Sequence, residues 1–183
     1  MNIKGKILEK AQELLLEKGY GNVSLTDIAA AVNISQPALY KHFKNKTDLW
    51  ELLAFNWLDT MLADLFPYKV DPKKSQSETI HNWFWTLASN KHAAYKAEPI
   101  MFKLYTEYLS TKPELVERHM NDLIDSLGAV SGMTDRQEKL SLIGLFSRFH
   151  HPKFAEFWDE DTQDDFERTW KFVEPYFNTK TNL

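Results

Sequence analysis

At 183 residues, with 43% hydrophobic and 14% aromatic side chains, the chain has ample apolar material for a globular protein of one or two compact units. It shows no apolar run near the roughly 20 residues of a membrane span and no charged-and-apolar leader, and without cysteine it has no disulfide, thiolate metal ligand or thiol nucleophile, so a soluble cytoplasmic protein is expected. The net charge of −4 divides unevenly: residues 1 to 50 carry seven Lys against five acids, a balance of +2, and the remainder carries fifteen Lys or Arg against twenty-one, a balance of −6. A basic head on an acidic body is expected.

The first element is an amphipathic helix with Ile7, Leu8, Ala11, Leu14 and Leu15 on one face and Gly19 as its stop. Ser24 and Asp27 then form a Ser-x-x-Asp capping box, and Leu25, Ile28, Ala29 and Val32 follow at i, i+3, i+4 and i+7. That helix is short. Val32-Asn33-Ile34-Ser35 breaks it, with Asn33 at the position that wants a left-handed residue. Ser35 caps the next helix, and Pro37 falls in the first turn, where its missing N–H does least harm. Leu39 and Phe43 lie four apart and point inward, which leaves Gln36, Pro37, Ala38, Tyr40, Lys41 and His42 on or near an outward face that can read DNA. Asn45-Lys46-Thr47-Asp48 caps a further helix whose N-terminal amides, with Lys46, can hold a phosphate. The pattern is a helix-turn-helix with a following support helix.

The run Gly19-Tyr20, Ser24-Leu25-x-x-Ile28-Ala29, Val32-x-Ile34-Ser35 and Leu39-Tyr40-x-His42-Phe43-x-Asn45-Lys46-x-x-Leu49 closely resembles the N-terminal domain of the TetR family of bacterial transcriptional regulators. The resemblance covers roughly residues 5 to 53. Asn33 stands where Gly is usual and Pro37 where a small residue is frequent, and the turn accommodates both. The resemblance implies an all-α fold. Residues 1–48 would form a three-helix helix-turn-helix DNA-binding domain, joined through a long fourth helix to a helical effector-binding and dimerisation domain at 49–183. It also implies a palindromic operator read in successive major grooves. Gln36, Pro37, Ala38, Tyr40, Lys41 and His42 would lie near base edges or phosphate, with Ser24, Thr26, Lys44 and Lys46 on the backbone.

Beyond the head, the helix from about Lys46 is expected to reach Leu65, ended by Phe66-Pro67, and Lys69 to Ser77 reads as a loop. Further helices are expected at about Ser77 to Lys96, Pro99 to Ser110, Pro113 to Val130, Asp135 to His150 and Thr162 to Phe177, punctuated by prolines 99, 113, 152 and 175. No β-alternation, repeat or low-complexity tract interrupts them.

The middle helices are rich in aromatics. In a TetR-like body this region surrounds an effector pocket, which points to Trp83, Phe102, Tyr105 and Phe146, with His150 as a polar contact, and to an apolar or aromatic small molecule; plain core packing is the alternative. Phe166, Trp170, Val173 and Phe177 make an apolar stripe, and Leu140, Ile143 and Gly144 lie beside small Ser141 and Ser147. Family position favours a homodimeric four-helix interface of Leu140, Ile143, Gly144, Ser147, Phe166, Trp170 and Val173; an intramolecular core is the other reading. The acidic run from Asp159 to Asp165 suits a helix N-terminus better than a metal. Adjacent His150 and His151 do not share a helical face, and His81, His92 and His119 lack a ligating spacing. No catalytic motif, metal site or cofactor is expected. Two functions remain: a ligand-responsive dimeric repressor released from its operator by a small molecule, or a helical small-molecule-binding or enzymatic domain without a DNA role. The density of the N-terminal motif favours the first.

Overall fold

In the computed structural model, which describes residues 2–109 and 112–180, local capping signals set the N-terminal helices. The Asn2 side chain accepts from the Gly5 N–H at 2.8 Å to start α1 (Ile3–Lys18), which ends at Gly19 with φ 78°. A 3-10 turn, Tyr20–Asn22, leads to α2 (Leu25–Val32) and then α3 (Gln36–Tyr40) and α4 (Lys46–Met61). The chain continues through α5 (Gln76–Ala97), α6 (Pro99–Tyr108), α7 (Pro113–Ser131), α8 (Arg136–Leu145), α9 (Ser147–His150), a 3-10 segment Pro152–Phe157 and α10 (Thr162–Lys180). Among the described residues there is no strand, only an isolated bridge between Leu65 and Tyr68.

The chain forms two compact units, Met1–Thr60 with Glu98–Lys112, and Met61–Ala97 with Pro113–Leu183. In the first, α1 packs on α2 and α2 on α3, burying Ile7, Leu8, Ala11 and Leu15 against Ile28, Ala29 and Leu39. The same unit takes in α6, because Trp57 of α4 lies edge-on to Phe102 at 6.3 Å, tilts against Tyr105 at 6.1 Å and donates its indole N–H to Glu98 at 2.8 Å. Packing therefore places 49–60 and 98–112 with the helix-turn-helix, beyond the boundary at residue 48 that its motif defines.

In the second unit α5 is central and packs on α7, α9 and α10, while α7 packs on α8. The α7–α8 approach is close at Gly128, where a Cβ would lie 2.9 Å from the Lys139 ammonium. Three expected boundaries move. The fourth helix stops at Met61 rather than Leu65, where the Asn90 side-chain amide takes the Met61 carbonyl at 3.0 Å and a Leu62–Leu65 turn follows. The helix expected over Asp135 to His150 breaks at Phe146 (φ −91°, ψ 6°), whose ring is fully buried and stacked on Phe84 at 4.5 Å. Pro175, expected to punctuate, sits inside α10. The expected end at Ser110 lies outside the described residues.

Candidate nucleic-acid interface

The turn between α2 and α3 is fixed by short side chains bonding to their own backbone. The Ser24 hydroxyl accepts from the Asp27 N–H at 3.1 Å, and the Asp27 carboxylate accepts from the Ser24 N–H at 2.8 Å, closing a reciprocal capping box. Hydrogen bonds from the Ser24 hydroxyl and amide hold the Asp27 carboxyl below its ordinary range, and Lys18 stands 3.7 Å away across the α1–α2 contact. Asn33 adopts φ 58°, ψ 47°, and its N–H reaches the Ala29 and Ala30 carbonyls, so the chain reverses without a glycine. Ser35 then caps α3 through the Ala38 N–H at 3.3 Å.

These caps orient α3. Leu39 and Phe43 are fully buried, while Gln36, Pro37, Tyr40 and Lys41 are exposed and Ala38 and His42 half-buried. Tyr40 keeps 47% of its surface open, a large value for an aromatic side chain on a five-residue helix. At the start of α4, Asn45 accepts from the Asp48 N–H at 2.8 Å and Asp48 accepts from the Lys44 N–H at 3.0 Å. Lys44 is exposed, and the half-buried Lys46 carries its ammonium 5.9 Å from the Trp50 ring centroid, which steadies it beside the α4 N-terminus. Thr26 is exposed, whereas the exposed Ser24 commits its hydroxyl proton to Asp27 at 2.5 Å.

Sequence reasoning passed over one basic group beside this surface. Lys4 of α1 holds its ammonium 5.4 Å from the Phe43 ring centroid and so stands next to the α3 turn. Its signal was the Lys4, Lys6 pair ahead of the first apolar residue of the helix stripe. The surface joins exposed hydrogen-bonding side chains on a short capped helix to flanking ammonium groups, the division of labour by which base edges are read and phosphates positioned. Lys46→Ala is expected to weaken binding to every DNA sequence alike and to lower the salt slope by about one per subunit. Anisotropy titrations across a salt series measure both; an unaltered slope removes Lys46 from the phosphate contacts.

The residues expected to line an effector pocket fall in different units. Phe102 and Tyr105 pack with Trp57 in the first, and burial pushes the Tyr105 hydroxyl above its ordinary range. Trp83, Phe146 and His150 lie in the second. Trp83 is fully buried, donates to the Ser126 hydroxyl at 2.9 Å and lies edge-on to Phe84. His150 is buried and donates its Nε2 proton to the Ile143 carbonyl at 3.1 Å, and burial lowers its pKa to about 3. Of the residues expected at a dimer interface, Ile143, Phe166, Trp170 and Val173 are buried within the chain, Leu140 and Ser147 half-buried and Gly144 exposed. Phe166 contacts Trp85, Phe146 and Phe149, so the α10 stripe is an intramolecular seam in this structure. Among the described residues no group of three or more His, Cys, Asp or Glu is placed to hold a metal ion, and no helix is long and apolar enough to cross a membrane.

A capped helix-turn-helix in one unit and an all-helical second unit are the architecture of a helix-turn-helix transcriptional regulator. Residues 7–53 match the family model for bacterial regulatory proteins of the tetR family, and residues 77–170 match the tetracyclin repressor-like C-terminal domain. The chain belongs to the TetR family. It is 45% identical over 63 residues, 33% of this chain and 34% of that protein, to IcaR of Staphylococcus aureus strain Newman, the HTH-type negative transcriptional regulator of the biofilm operon icaADBC. The Staphylococcus epidermidis protein of the same description is 42% identical over 48 residues, 26% of each chain. The match thus spans about a third of the length of the first of these relatives. Among solved structures, a TetR/AcrR-family regulator from Thermobifida fusca superposes with a TM-score of 0.59 at 20% identity, covering 93% of this chain and 96% of that one. SCO0253 from Streptomyces coelicolor, a TetR-family regulator, gives 0.54 at 22% identity over 98% and 96%. At these identities the likeness speaks to the fold alone.

Proposed function

We propose that this chain is a homodimeric repressor that binds a palindromic operator in the bacterial cytoplasm and is released by a small molecule. The observation that carries the reading is the exposed Gln36, Tyr40 and Lys41 on a helix anchored by Leu39 and held by the Asn33 turn. The negative regulation named for IcaR supports repression. The test is an electrophoretic mobility shift with DNA flanking the protein's own gene, followed by footprinting. Two protected half-sites one helical turn apart, about 34 Å, are expected. No sequence-selective shift at any flanking segment would leave the alternative, a helical binding or enzymatic domain without a DNA role.

For the dimer, the face that supports association lies beside the buried stripe. Phe172 is 87% exposed, Tyr176 40% and Leu145 55%. A Cβ at Gly144 would meet nothing within 4 Å, and Arg148 donates to Asp165 at 2.8 Å, tying α9 to this flank of α10. Large exposed apolar side chains of this kind suit an isologous contact. Phe172→Asp is expected to yield folded monomers by sedimentation and to lower apparent operator affinity by about 100-fold or more as the two heads lose their linkage. A variant that stays dimeric removes Phe172 from the contact.

The effector in this reading is apolar or aromatic and binds in the second unit near Trp83, Phe146 and His150, buried rings of which His150 is a neutral imidazole. The chain passes between the units after Thr60, Ala97 and Lys112, so a shift in the second unit has three covalent routes to the head. Linkage requires that effector and operator weaken each other by the same factor.

A further inference from the structure

The first turns of α5 and the middle of α10 border an open groove of about 390 Å³ in the second unit, apart from Trp83, Phe146 and His150. Its volume falls at the small end of ligand sites, which run from about 300 to 1,000 Å³. Trp170 forms an apolar part of the wall, with the His81 ring edge-on to it at 5.1 Å. His81 Nε2 donates to both Glu167 oxygens, at 3.1 and 3.0 Å, which satisfies that carboxylate within the wall.

What remains is uncommitted polarity of both signs. Lys171 and Glu174 line the groove from one face of α10, and among the described residues neither takes part in an ion pair or hydrogen bond, although they are three residues apart. Lys74 lines the α5 end near Glu78, whose carboxylate accepts from the Ser75 N–H and hydroxyl at 2.8 Å and is held below its ordinary range by them and, more weakly, by Lys74. Ser77 is only 7% exposed, and its hydroxyl has no hydrogen-bond partner.

We propose that this groove binds a small zwitterion of amino-acid size, its ammonium set against Glu174 and its acid group against Lys171 and Lys74. A ligand of one sign would cover the opposite side chain and leave it desolvated and unpaired, so the wall discriminates against simple amines and simple acids alike. A metal ion does not fit, because the carboxylates and imidazole here do not converge as a ligating group. The groove and the proposed Phe172 face occupy different sides of α10: 167, 171 and 174 on one, 165, 168, 172 and 176 on the other. A partner docked on the second side leaves the first open.

The test uses the intact protein and a series of ω-amino acids from β-alanine to 6-aminohexanoate, followed by the Trp170 indole N–H resonance, with pentylamine and pentanoate as single-charge controls. At least one amino acid is expected to give saturable shifts, with both controls weaker by about tenfold or more. Glu174→Gln and Lys171→Met, at positions that make no bond in the fold, are each expected to weaken the zwitterion by about tenfold. The idea is overturned if no member saturates by about 10 mM, if the controls bind as well, or if neither variant changes the affinity. None of these readouts involves DNA, so failure here leaves the repressor reading standing.

Discussion

Phe146→Ala is expected to destabilise the second unit by about 3 to 5 kcal/mol. The ring is fully buried and meets three helices at once: it stacks on Phe84 of α5 at 4.5 Å, tilts against Phe149 of α9 at 6.2 Å and against Phe166 and Trp170 of α10 at 5.4 and 6.0 Å. Truncation removes the apolar surface and leaves a cavity that three helix backbones can close only in part. Aromatic pairs of this kind also contribute beyond their area, about 0.5 to 1.5 kcal/mol each. Urea denaturation followed by near-ultraviolet circular dichroism measures the loss. Phe157→Ala is the control, because that ring is 65% exposed and its removal is expected to stay within about 0.5 kcal/mol. Equal losses at the two positions would show that the cluster around Phe146 contributes no special stability.

The head was legible because its signals are local. The Ser24–Asp27 box, the left-handed Asn33 and the Ser35 cap each act within four residues, and the inward face of Leu39 and Phe43 follows from helical spacing alone. The body was legible as helices but not as surfaces. Phe166, Trp170 and Val173 give the same stripe whether they meet a partner or α5 and α9, and only the folded chain shows that the protomer buries them. Phe172, off the stripe, reads in sequence as an isolated apolar residue, yet it is 87% exposed. The placement of α6 with the head depends on Trp57 meeting Phe102, and the α5–α10 groove on His81 meeting Glu167, 86 residues away. No periodicity records such pairs. The break at Phe146 has no Gly or Pro to announce it; tertiary packing overrides the helical pattern there.

Stability is expected to fall as pH drops through 6.5, with His150 as a principal source. An imidazole in the unfolded chain titrates near 6.5, whereas burial, helped by repulsion from the Lys91 ammonium, lowers His150 to about 3. Between those values the unfolded chain takes up a proton that the folded chain refuses. The stabilisation is therefore whole above pH 6.5 and drains away as the solution becomes more acid, by about 1.4 kcal/mol per pH unit for each such proton, or about 2 kcal/mol from His150 alone between pH 7.5 and 5. His119 moves the same way, lowered well below its ordinary range by burial with its Nε2 only 3.3 Å from the Lys91 ammonium, and it adds to the same limb. Lys91, itself lowered by burial to about 7, follows the same sign at higher pH: the unfolded lysine stays protonated up to about 10.5, so stability continues to climb above neutrality. Denaturation midpoints from pH 7.5 down to 5 trace the acid limb above the main carboxylate range. His150→Gln keeps an N–H for the Ile143 carbonyl while removing the titration, so it is expected to flatten that limb by about 1.4 kcal/mol per unit whatever its effect on absolute stability. A variant with the wild-type slope would move the acid sensitivity to other groups. Lys91→Met separates the two limbs, since it abolishes the alkaline rise, while the His150 limb keeps its slope and only its acid end moves to higher pH as the imidazole regains part of its basicity.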